Sequence, residues 1–194
     1  DATSQLPRAG PKETPGADSI AAMKRRTRGP DFPLLGERLR LLEEEWRGRR
    51  LDSDPLELPH RYAAPADREV VAFLAASLAF GRVGSIRSST ERLLLALGRS
   101  PASALAEDAA DSPQLDGFVH RWVDVRSLRP FLRALGATLR SEGSLAALFA
   151  AGDDGGPDFV PALDRFFAAL REQSGVFPRA APRGLLFLLP SPGN

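Results

Sequence analysis

Apolar positions along this chain recur mostly at helical spacing, and one stretch organises the rest. Between Asp67 and Leu97, the residues Val70, Val71, Phe73, Leu74, Ala75, Ala76, Leu78, Ala79 and Phe80 leave almost no polar face. A helix that is apolar nearly all round is expected at the centre of a helical domain. Gly81 and Gly84 then permit a tight reversal, because glycine tolerates positive φ where a helix ends. The segment that follows is amphipathic: Ile86, Leu93, Leu94 and Leu97 share one face, while Arg87, Glu91 and Arg92 reach water. The pattern predicts a helical hairpin with a polar turn, Gly81-Arg82-Val83-Gly84-Ser85, that carries an arginine.

Other segments repeat this periodicity. A first helix is expected over 33–50, with Leu35, Leu39, Leu42 and Trp46 in one stripe and Glu43–Arg47 and Glu45–Arg49 as outer i,i+4 pairs. Asp54, Pro55 and Glu57 have the layout of an N-cap, a first-turn proline and an N3 glutamate, which predicts a single turn before Pro59. Pro65 with Asp67 starts the central helix. Ser100-Pro101 starts a short helix to about Ala106, and Ser112-Pro113 starts one bearing Leu115, Phe118, Val119 and Trp122. Ser127 is placed as the cap of the next, with Leu128, Phe131, Leu132, Leu135 and Leu139 inward and Pro130 in its first turn. A segment from Leu145 to Ala151 leads into the loop Gly152–Pro157. Asp158 caps a helix whose inner face is Phe159, Leu163, Phe166, Phe167 and Leu170. Residues 175–183 read as irregular, and Leu185–Leu189 is strongly apolar. That apolar segment, five residues before the end, leads to the expectation of further chain beyond Asn194. The reading is an all-α, bundle-like domain of about 7–8 helices over 32–194, behind a disordered tail over 1–31 that contains Pro7, Pro11, Pro15 and Pro30. Met23 is an expected natural start, with residues 1–22 as upstream read-through.

Composition narrows the chemistry. The net charge is +1 at pH 7, so no strong global field selects acidic partners or nucleic acid. Lys12 and Lys24 are the two lysines, so no residue from 25 onward can run an amine-based Schiff-base mechanism. The absence of cysteine excludes disulfides, thiolate zinc sites and a cysteine nucleophile within the chain, and fits a reducing cytoplasm. No apolar run approaches the roughly 20 residues that span a bilayer, and the N-terminus lacks a signal-peptide layout. No cofactor and no resident metal are expected.

Two histidines are available. His60 lies near Asp52, Asp54 and Glu57, an oxygen-rich cluster that looseness of spacing and the capping roles argue against as a metal site. His120 lies in Gly117-Phe-Val-His120-Arg121-Trp122, where a half-buried, hydrogen-bonded imidazole is the default. A two-histidine centre needs these residues to meet in space. Ser85, Ser88 and Ser89 read as caps, since no nucleophile elbow surrounds them. The glycines at 81 and 84 are no phosphate loop, yet a glycine turn that opens a helix beside Arg82 and Arg87 is a physically reasonable anion seat.

Several of these patterns together resemble a bacterial family known as domain of unknown function 2400. They are Asp54-Pro55-Leu-Glu-Leu-Pro59-His60-Arg61-Tyr62, Asp67-Arg-Glu69-Val with Phe73, Ala79-Phe80-Gly81-Arg82, Gly117-Phe-Val-His120-Arg121-Trp122 and Leu188-Leu189-Pro190-Ser191-Pro192. The resemblance spans about residues 33–192 and carries no settled biochemical function. It implies a further arginine- and tryptophan-rich helix and a Pro-Leu-Asp-x-His segment beyond Asn194, the latter distantly similar to DNA glycosylases of the helix-hairpin-helix type. By that analogy Phe80, Gly81, Arg82 and Arg87 would lie on a DNA-facing rim, with His60, Arg61, His120 and Arg121 as further candidates. The hairpin motif and the glycosylase aspartate and lysine have no counterpart here. DNA is the expected partner of a glycosylase-like binding module. The alternatives are a non-catalytic protein-interaction module and a metal-dependent hydrolase that uses His60 and His120.

Overall fold

The computed structural model of the protein describes residues 32–47, 54–176 and 181–191. The expected tail and Met23, Asp52, and the side chains of Trp46, Arg47 and Arg49 lie outside the described residues. The chain divides into two units at Arg49–Arg50. The first contributes one described helix, α1 (Phe32–Arg47), on which Leu35, Leu39 and Leu42, the predicted inward stripe, are exposed.

The second unit is all-α apart from one minimal hairpin. Its described helices are α2 (Glu57–His60), α3 (Pro65–Ser77), α4 (Val83–Leu97), α5 (Pro101–Ala106), α6 (Val125–Glu142), α7 (Leu145–Gly152), α8 (Val160–Gln173) and α9 (Arg183–Leu188). Two 3₁₀ turns, Ala109–Asp111 and Pro113–Leu115, lead into strands β1 (Val119–His120) and β2 (Val123–Asp124). The strands pair antiparallel, with His120 opposite Val123. None of the described helices is long and apolar enough to cross a membrane.

The hub is α6, not the predicted α3. Helix α6 packs against α5, α7, α8, α9 and β2, and buries Leu128, Phe131, Leu132, Ala134 and Leu135. Helix α3 buries Val70, Val71 and Leu74, with Leu78 just after it, but exposes Arg68, Ala72 and Ala76. Alanine is apolar without needing burial, so an alanine-rich helix looks more central in sequence than it is. The predicted face of α4 is observed: Ile86, Leu93, Leu94 and Leu97 are all buried.

Helix ends are satisfied both by local side chains and by carboxylates from elsewhere in the chain. Asp67, placed in sequence at the start of α3, accepts the Ala102 backbone N–H of α5 at 2.9 Å. Glu69, two residues further on, accepts the N–H groups of Leu145 and Ala146 at 3.1 and 2.7 Å. Each carboxylate sits where the first amides of a helix lack internal partners and the helix dipole favours negative charge. These two residues tie α3 to α5 and α7 by polar contacts. The cap of α6 is Asp124, whose Oδ1 accepts from both the backbone N–H and the hydroxyl of Ser127, so the predicted cap is in fact the capped residue. Because α6 begins at Val125, Pro130 falls in its second turn and leaves the Arg126 carbonyl without an i+4 donor. Asp158 accepts the Val160 N–H at 2.9 Å as expected, whereas Phe159 is exposed instead of inward.

Candidate nucleic-acid interface

Three distant segments meet beside the end of α3. Leu78 closes that helix, and Gly81 reverses the chain with φ +107°, a conformation that a side chain would strain. Gly84 lies inside α4 and takes no part in the reversal. Residues 117–124, predicted as helix, form the hairpin instead. Its two-residue loop places Arg121 at φ +58°, uncommon for a residue with a β-carbon.

A buried histidine joins turn and hairpin. His120 is 2% exposed. One ring nitrogen lies 3.1 Å from the Phe80 carbonyl oxygen and the other 2.9 Å from the Ser89 hydroxyl. A carbonyl can only accept, so Nε2 carries a proton and donates to Phe80, while Nδ1 shares a hydrogen bond with the Ser89 hydroxyl. Both ring nitrogens are therefore hydrogen-bonded. The ring holds the residue before Gly81 against the hairpin and leaves no lone pair for a ligand.

Around this clamp the rings of Phe80, His120, Trp122 and Phe187 form one cluster. Phe80 stacks on Trp122 with centroids 4.7 Å apart, and meets His120 and Phe187 edge-on at 4.6 Å each. Phe187 also meets Trp122 edge-on at 5.4 Å. Such geometries suit the ring quadrupoles. The inner members are covered, but Trp122 and Phe187 stay 43% and 44% exposed. Gly184, on the same helix as Phe187, approaches the hairpin so closely that a β-carbon there would meet Ser127 and the Trp122 carbonyl oxygen within 3 Å.

Positive charge borders the rings. Arg82 is exposed at the N-cap of α4, whose first turn has no side-chain cap. The Arg121 guanidinium carbon lies 5.8 Å from the Trp122 ring centre, a cation–π contact, and its side chain passes beside Gly81. Arg183 and Trp122 line one cleft of about 310 Å³. Among the described residues of this unit, Arg82, Arg99, Arg121 and Arg183 make no ion pair and no side-chain hydrogen bond, and all but Arg99 belong to this face.

The remaining candidates sit in a different environment. Glu57 accepts two hydrogen bonds from Arg61 and one from Arg87, at 2.9 to 3.0 Å, and Glu91 accepts from Arg61 at 3.0 Å. The Arg61 hydrogen bonds hold the Glu57 carboxyl below its ordinary range, against a smaller opposing effect of burial, and raise the Arg61 pKa further. This quartet is electrically balanced. Arg87, placed on the rim by sequence, has its guanidinium engaged by Glu57. His60 is exposed and no described contact links it to His120. No group of three or more potential metal ligands exists among the described residues.

A family profile described as "Protein of unknown function (DUF2400)" matches residues 54–194. The chain belongs to the DUF2400 family. The match begins at Asp54, so α1 lies outside it, whereas the expected span began at residue 33. Both the Phe80–Arg82 turn and the His120–Trp122 hairpin fall within it. No curated protein and no solved structure matches the chain.

Trp122, Arg183 and Phe187 are the site members that the sequence reading did not single out. Trp122 stands four residues after Phe118, which imitates one face of a helix. The signal that reveals it is the alternation Val119, His120, Val123 around an Arg-Trp pair, too short to outweigh the helical reading.

Proposed function

We propose that this DUF2400 chain is a nucleic-acid-binding helical module whose contact face is built from Phe80, Gly81, Arg82, Arg121, Trp122, Phe187 and Arg183. One observation carries the reading. Most of the described arginines of the second unit are neutralised by a carboxylate or spent on backbone carbonyls: Arg61, Arg87, Arg126, Arg129, Arg133 and Arg140 each have an acidic partner, and Arg68, Arg92, Arg165 and Arg171 each bond backbone oxygens. Three of the four that remain converge on the exposed rings. Unpaired guanidinium groups suit phosphate because their fork of donors matches its oxygens. The reading is of binding, and assigns no reaction to the residues present.

Affinity for a short DNA, measured against salt concentration, tests this. Counterion release predicts that the logarithm of the binding constant falls linearly with the logarithm of salt. Arg82→Ala should weaken binding and lower the slope by about one. Arg87→Ala should leave the slope unchanged, because Glu57 already engages that guanidinium. A flat salt response, or no binding at low salt, discards the proposal.

A further inference from the structure

Resting on that reading, we infer that the face takes unpaired bases, so that its ligand is single-stranded nucleic acid, or a strand locally opened, and not continuous duplex. A regular duplex offers phosphates, sugars and groove edges but hides the faces of its bases. Arginine alone would suffice for it. Here two large rings from different elements, Trp122 and Phe187, are left nearly half exposed and set edge-on to each other. Aromatic faces beside a cationic groove give sequence-tolerant stacking, since every base has a π-face.

The seat is held in place before any ligand arrives. Phe80 stacks on Trp122 from within, and His120 fixes Phe80 through its carbonyl oxygen. Gly184 allows α9 to lie against the hairpin and so carries Phe187 to the Trp122 ring. Arg183 stands one helical turn before Phe187, on the same side of α9, where it can reach a phosphate next to a stacked base. The left-handed Arg121 adds a further sign: backbone strain kept at an exposed charged residue is a feature of functional surfaces.

The test compares a mixed-sequence 20-nucleotide single strand with its own duplex at low salt, using the 194-residue chain carrying Trp46→Phe so that Trp122 is the sole indole. Binding is read by anisotropy of a labelled strand and by quenching of the indole fluorescence. The expected result is at least ten-fold tighter binding of the single strand, with quenching on saturation. Trp122→Leu should cost the single strand roughly ten-fold or more and the duplex at most two- to three-fold, while Trp122→Phe restores most of the loss. Phe187→Ala, farther from the His120 clamp, repeats the comparison should Trp122→Leu fail to fold. Equal affinity for both forms with no quenching overturns the stacking seat and leaves a phosphate-binding face. No binding of either form removes nucleic acid from this surface altogether.

Discussion

Gly136 offers the sharpest check on the architecture that positions this face. It lies in the middle of α6 where α5 crosses, and a β-carbon there would stand 2.3 Å from the Leu105 carbonyl oxygen and 3.0 Å from its carbonyl carbon. Ordinary contact begins near 3.4 Å, so Gly136→Ala requires the two helices to part by about 1 Å. The obstacle is backbone, which no rotamer change can move aside. Leu105 is 1% exposed, and the neighbouring Ala106 carbonyl accepts from Arg140 of α6 at 3.0 Å, so displacing α5 also disturbs core packing and that bond. Overpacking of this kind costs about 1–3 kcal/mol, and the rigid obstacle argues for the upper end. Alanine in place of glycine within a helix returns about 1 kcal/mol. The net expectation is a loss of about 2 kcal/mol, or roughly 4–8 °C in melting temperature for a chain of this size. Urea unfolding followed by far-ultraviolet circular dichroism measures it. Gly84→Ala is the control: the same chemical change in a helix, with nothing within 4 Å of the new carbon, should leave stability unchanged or raise it by at most about 1 kcal/mol. A Gly136→Ala protein as stable as the parent would refute the close crossing of α5 and α6.

Three further expectations follow from the polar contacts. Asp67→Ala and Glu69→Ala should each destabilise by about 1–2 kcal/mol as caps of separate helices, and because α5 and α7 are different partners, the double variant should lose close to the sum; a loss confined to one of them in thermal melts would dismiss the pair of cross-chain caps. Arg121→Gly should raise stability by about 1 kcal/mol by relieving the left-handed strain while weakening nucleic-acid binding, so a variant that gains stability and binds undiminished would show that the strain serves no ligand. Acid should destabilise the fold from about pH 4.5 downward. Glu57 is held low by hydrogen bonds from Arg61, Asp111 by two from Arg133, and Asp124, against the raising effect of burial, by Arg126 and Ser127. Carboxyls depressed in the folded state stabilise it above their ordinary values, 4.5 for Glu57 and 3.8 for the aspartates, and lose that contribution as pH falls through the folded values. Melting temperature should therefore be level between pH 5 and 7 and decline below, less steeply in Glu57→Gln; an unchanged slope in that variant would count against the Glu57 pairing.

Local periodicity carried a large part of this fold. Ile86, Leu93, Leu94 and Leu97 on α4, and Leu128, Phe131, Leu132 and Leu135 on α6, are buried as spacing dictates, because one helix face must leave water whatever lies against it. Periodicity does not say how many partners that face meets, so the central role of α6 was invisible while the alanines of α3 mimicked it. Nor can it register cross-chain caps: Asp67 is 35 residues from Ala102, and Glu69 is 76 from Leu145. Of the candidate face, the Gly81–Arg82 turn was legible because positive φ and glycine go together. The hairpin was not, since strands of two residues give no period to read.

The way the site is assembled explains why charge counting from sequence was uninformative. A net charge of +1 is compatible with any distribution, and what matters for a polyanion is which cations the fold leaves without a counter-ion. Along α6, Arg129, Arg133 and Arg140 are matched to Asp116, Asp111 and Asp108 of the connecting strap, and beside α2 the Glu57 and Glu91 carboxylates absorb Arg61 and Arg87. These pairs are partly exposed, so each adds little stability. Their larger effect is to cancel the field over those surfaces. Apart from Arg99, what the pairing leaves among the described residues of this unit is local: Arg82, Arg121 and Arg183 come from the α3–α4 turn, the hairpin and α9, segments about 40 and 60 residues apart in sequence that His120 and Gly184 bring to one place. A positive patch therefore exists only in the folded chain, beside the part-exposed rings of Trp122 and Phe187.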